Sequence, residues 1–120
     1  MDNNLDLYDE EDWNEPDYGD GFMGIMSNKY PDKSKWGEIT KINVSNKNLH
    51  DLKGIENFPN LKQINCTNNI IHTLYSLRHL QNLEILQCNN NNISNIYPIL
   101  NNKKLLRMDI SNNNLQNLQH

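Results

Sequence analysis

Apolar residues recur along most of this chain on a period of 22 residues. Set in rows from Ile39, Leu61, Leu83 and Leu105, the first position of each row is apolar. Position 4 is then Ile42, Ile64, Leu86 and Met108, and position 6 is Val44, Cys66, Cys88 and Ile110. Position 11 is Leu49, Ile71, Ile93 and Leu115. With 36% of the chain apolar, independent draws fill all these slots roughly once in ten million trials. Positions 14 and 17 repeat as well: Leu52 and Ile55, Leu74 and Leu77, Ile96 and Ile99, with Leu118 alone in the last row. Position 20 reads Phe58, Leu80 and then Asn102, a break at which Leu100 is expected to take over the core slot.

Two periods inside each row predict two kinds of element. Positions 4 and 6 are two apart, the spacing of a strand that turns alternate residues inward. Positions 11, 14, 17 and 20 are three apart, which suits a 3₁₀ or irregular return better than a long α-helix. One such row cannot bury its own apolar side. Stacked rows share a core, and their strands form a parallel sheet with steps of about 4.8 Å.

A polar position is held as firmly. Position 9 is Asn69, Asn91 and Asn113; in the first row it is Lys47, between Asn46 and Asn48. The chain turns sharply there and leaves backbone groups unpaired inside the stack, at about 1–3 kcal/mol each. An inward amide offers donors and an acceptor together, so it is expected to bond its own turn and the next. Within the tract Asn89–Asn92 this singles out Asn91 and leaves Asn89, Asn90 and Asn92 as variable positions. The first row, with Lys47, is an irregular turn or an atypical end repeat.

The stretches "LKQINCTNNII", "LEILQCNNNNI" and "LLRMDISNNNL" match L-x-x-L-x-L-x-x-N-x-L and resemble the leucine-rich repeat family; "ITKINVSNKNL" fits except at Lys47. The 22-residue length is similar to the short subclass of a protein-phosphatase regulatory subunit and of bacterial internalins. The Asn-rich style looks like proteins of protists or giant DNA viruses. The resemblance covers residues 39–120 and implies an α/β solenoid of about four repeats (39–60, 61–82, 83–104 and an incomplete 105–120), with strands concave and returns convex. It also implies that the concave side binds protein partners. Positions 3, 5 and 7 face that side: Lys41, Asn43 and Ser45; Gln63, Asn65 and Thr67; Ile85, Gln87 and Asn89; Arg107, Asp109 and Ser111. No aromatic residue is among them, which leaves Arg107 and Ile85 as the expected anchors.

Charge divides the rest. Residues 1–20 carry nine acids and no base, whereas residues 21–120 carry eleven bases and six acids. The first segment is read as a disordered acidic arm. Tethered to a body of charge +5, it is expected to fold back and screen the binding face in a salt-dependent way. Residues 21–38 hold Phe22, Met23, Ile25, Met26, Tyr30 and Trp36 among Gly and Pro, and are expected to cover the open end of the first row.

Composition narrows the function classes. No run of about 18 apolar residues is present for a membrane span, and the acidic start is unlike a secretory signal. An intracellular location follows, in cytoplasm or nucleus, or in host cytoplasm or virion for a viral protein. There the sequons at Asn43, Asn65 and Asn92 are coincidences of an Asn-rich chain. Asparagine supplies 24 residues, a bias that an AT-rich genome also produces. Cys66 and Cys88 share a position in adjacent rows and read as reduced core residues. Zinc would need further ligands, and His72 and His79 lie on the returns. No nucleophile–base set or phosphate-cradling glycine loop stands out. No cofactor or catalysis is therefore expected. The bases are spread and not interleaved with aromatics, so nucleic acid is a minor alternative.

The expected function is a non-enzymatic protein-interaction module. The alternative is a fragment or decayed repeat array without activity of its own. Leu115, Leu118 and the edge of the last strand have no row beyond them. A fragment of a longer array, a frayed last row or self-association through that edge follows.

Overall fold

The computed structural model describes residues 21–116. Four three-residue strands, β1 (Lys41–Asn43), β2 (Gln63–Asn65), β3 (Ile85–Gln87) and β4 (Arg107–Asp109), form one parallel sheet in chain order. The register is the 22-residue repeat itself: Ile42, Ile64, Leu86 and Met108 stand side by side. Each return contains a single 3₁₀ turn, at Ile55–Asn57, Tyr75–Leu77 and Tyr97–Ile99. The first turn falls two positions later in its row than the others. It follows Gly54, whose φ of 101° lies in the left-handed region.

Positions 4, 6, 11 and 17 of the first three rows are buried. Row 4 departs from the expectation of a uniform core. Met108 is 38% exposed and Leu115 40%, because no further row covers them among the described residues. The expected substitution at position 20 also fails. Leu100 is 62% exposed, while Asn102 is buried at 5%. Its amide Nδ2 donates to Leu77 O and Leu80 O, both at 3.0 Å. The backbone keeps its register, and the amide NH2 is satisfied by carbonyls of the row beneath, while the buried Oδ1 has no partner among the described residues.

Ahead of row 1 lie α1 (Gly21–Lys29) and a 3₁₀ segment (Lys33–Glu38). Phe22 and Met26 of α1 are buried, as is Trp36. Trp36 stacks on Phe58 with ring centroids 4.5 Å apart, and Phe22 meets the same ring edge-on at 6.1 Å. The Trp36 indole N–H donates to Tyr30 O at 2.8 Å. The acidic arm assigned to residues 1–20, and Leu118 of the last row, lie outside the described residues.

Candidate functional site

The asparagine ladder sets the geometry of the face that the strands present. Asn69 Oδ1 accepts from Lys47 N and Leu49 N at 3.0 and 2.9 Å, and its Nδ2 donates to Val44 O and Cys66 O. Asn91 repeats this toward Ile71 N, Cys66 O and Cys88 O. Asn113 does so toward Ile93 N, Cys88 O and Ile110 O. Each amide therefore bonds its own turn and the preceding row, not the following one. This accounts for Lys47: row 1 has no preceding row to bond, and Asn69 serves its turn from above.

Position 8 is not variable, contrary to the sequence reading. Asn46, Asn68, Asn90 and Asn112 all hold φ between 57° and 60°, a conformation that Asn adopts more readily than other non-glycine residues. Position 8 is Asn in all four rows, a stricter repeat than position 9. Asn89 has a task too: its Oδ1 accepts from the Thr67 hydroxyl at 3.0 Å.

The twelve concave residues lie where the spacing placed them, on the strands and just beyond. Lys41, Asn43, Arg107, Asp109 and Ser111 are exposed; Ser45, Gln63, Asn65, Thr67, Ile85, Gln87 and Asn89 are half-buried. Much of their polarity is already satisfied within the row. Asn43 Oδ1 accepts from both N and Oγ of Ser45, and Asp109 Oδ1 does the same for Ser111. Asn65 Oδ1 accepts from Thr67 N at 3.1 Å. An Asn or Asp at position 5 followed by Ser or Thr at position 7 signals this turn chemistry. Among the described residues, no such internal bond engages the side chains of Lys41, Gln63, Gln87 and Arg107.

The face has an aromatic neighbour that the repeat could not reveal. A shallow depression is lined by Lys29, Tyr30, Lys41, Asn43, Gln63, Asn65 and Gln87. Lys29 and Tyr30 come from the end of α1 and the residue after it, with the Lys29 ammonium 5.6 Å from the Tyr30 ring centroid. A second depression lies between Ile85, Gln87, Arg107 and Asp109, at the other end of the sheet.

No protein-family profile and no curated protein sequence matches this chain. Solved structures do. An internalin (inlF) of Listeria monocytogenes superposes with a TM-score of 0.71 over 82% of this chain, at 22% identity. Internalin C2 of the same organism gives 0.57 over 73%, at 18% identity. The chain spans 30% and 50% of those two proteins.

The fold is a leucine-rich repeat solenoid. Its convex side carries a second group of large exposed side chains, which sequence reasoning passed over as part of the returns. Tyr75 and Tyr97 are 58% and 54% exposed, and the Arg78 guanidinium lies 3.7 Å from the Tyr75 ring centroid. These tyrosines share position 15, a repeat visible in the sequence that the core pattern overshadowed.

Inside the solenoid, Cys66 and Cys88 are fully buried with free thiols. The Cys66 thiol is pushed well above the usual range, first by its hydrogen bond with the Cys88 side chain and then by burial. It also donates to Gln87 O at 3.5 Å. Such a thiol is a core group and a poor nucleophile at neutral pH. Among the described residues no three of His, Cys, Asp and Glu gather closely enough to hold a metal ion. No helix among them is long and apolar enough to cross a membrane.

Proposed function

We propose that the solenoid is a protein-interaction module whose concave face takes an acidic, hydrogen-bonding peptide segment. The observation that carries this reading is the depression shared by Tyr30, Lys29, Lys41, Gln63 and Gln87. It combines an aromatic ring and a cation from the end of α1 with a second cation and four side-chain amides on the sheet. Tyr and Arg are favoured at binding hot spots, and a preformed array loses little entropy on binding. Arg107 places a further cation at the far end of the face, beside the carboxylate of Asp109. The two internalin structures support the reading only through their shared fold.

A second reading places the partner on the convex side, at Tyr75, Arg78, Tyr97 and Leu100. The exposure of Tyr75, Tyr97 and Leu100, with Arg78 lying over the Tyr75 ring, favours it. One selection separates the two. Peptides are selected on the immobilised protein from an unbiased displayed library, then titrated against Tyr30→Ala/Lys41→Glu and Tyr75→Ala/Tyr97→Ala. The concave reading expects acidic sequences whose affinity falls at least about tenfold, or 1.4 kcal/mol, in the first variant and holds in the second. The opposite pattern moves the site to the convex side. Failure to enrich any sequence removes the peptide-binding reading.

A further inference from the structure

We infer that β4 is a self-association edge, joining two copies of this chain into an antiparallel dimer centred on Met108. The argument starts from the backbone. The N–H at position 6 of each row donates to the position 5 carbonyl of the next: Val44 to Asn65, Cys66 to Gln87 and Cys88 to Asp109, at 2.8–2.9 Å. Ile110 holds position 6 in the last row, and among the described residues no strand follows to receive its N–H. By the same parallel ladder the N–H and C=O of Met108 also face outward. The apolar side chains here are uncovered: Leu106 is 77% exposed and Met108 38%.

Charge chooses the occupant and the register. A two-fold axis at Met108 lets its N–H and C=O bond their own copies, and lets each Ile110 N–H donate to the Leu106 carbonyl of the other copy, while the Leu106 N–H stays on Glu84 O at 2.8 Å. Arg107 then stands opposite Asp109 of the second copy, twice, on the concave side. Both belong to the close, non-hydrogen-bonded pairs of an antiparallel ladder, with Cα atoms about 4.5 Å apart. Asp109 Oδ1 already accepts from Ser111, which leaves Oδ2 for the guanidinium. On the other side Met108 meets Met108. Moving the axis one residue either way sets Arg107 against Arg107 or Asp109 against Asp109, and like charges directly opposite are destabilising. A single strand, read in one direction, is thus self-complementary only in this register.

Sedimentation equilibrium over a concentration series tests this, without reference to any other partner and independently of the peptide-binding reading. The full chain is expected to approach a closed dimer, with association weakened by salt. Arg107→Asp and Asp109→Arg each place like charges throughout the interface and are expected to remain monomeric. Mixed one to one, they restore opposite charges at every pair and are expected to form a heterodimer. Amide exchange at Met108 and Ile110 of the unaltered chain is expected to slow as concentration rises. A chain that stays monomeric, one that grows as an open polymer, variants that do not complement, or amides indifferent to concentration each overturn the proposal.

Discussion

Four consecutive asparagines, Asn89–Asn92, look interchangeable and are not. Asn89 receives a hydroxyl from the row beneath, Asn90 takes the left-handed turn, Asn91 is the buried amide of the ladder, and Asn92 is exposed. Asn91→Ala leaves the Ile71 N–H without its partner and removes donors from three carbonyls. With about 1–3 kcal/mol for a stranded buried group and about 1 for each further bond, the expected loss is about 3 kcal/mol or more. Urea denaturation checks it, with Asn92→Ala expected within about 0.5 kcal/mol of the parent. Cys66 makes a pH prediction. Its folded value is raised, so its contribution to stability is present below the unfolded thiol value of about 8.5. It is lost as pH rises through the folded value. The stability gap between the parent and Cys66→Ala is therefore expected to narrow at alkaline pH, measured by denaturation at pH steps through that range. Position 9 was legible because three rows shared it. Position 8 was equally legible, but a run of identical residues hid which neighbour did what.

Among the elements, the returns and the segment before row 1 show how local chemistry adjusts a repeat. Tyr75–Leu77 and Tyr97–Ile99 occupy the same place in their rows, whereas Gly54 moves the first turn along. A Cβ at Gly54 would lie 2.3 Å from Cγ and Sδ of Met23 on α1, and its positive φ is strained for any side chain. Gly54→Ala is expected to cost about 2 kcal/mol through strain and the displaced helix contact. A lowered thermal midpoint and a weakened near-ultraviolet signal from Trp36 are the measurements. Unchanged values would show that α1 yields at no cost. None of this was readable from the period, since α1 lies outside the repeat. Its placement of Tyr30 beside Lys41 depends on the ring contacts of Phe22 and Trp36 with Phe58.

For the molecule as a whole, place in the stack decides what an identical position is worth. Ile64 and Met108 both hold position 4, yet one is fully buried and the other 38% exposed. Ile64→Ala is expected to cost about 3 kcal/mol and Met108→Ala about 1, in line with core and half-exposed truncations. Equal losses in parallel denaturation experiments would mean that the last row is covered in solution. That comparison must be made at a concentration where the chain is monomeric. The sequence alone determined the period, the solenoid, the parallel register and the inward amide, because each is a local preference repeated until it admits one arrangement. Tertiary structure alone decided two things: that Asn102 rather than Leu100 fills its slot, and that Tyr30 adjoins the strands. The physical reason is that a repeat describes how a row meets its equals. A polar residue that breaks the pattern and a helix from outside it are not equals, and no row encodes them.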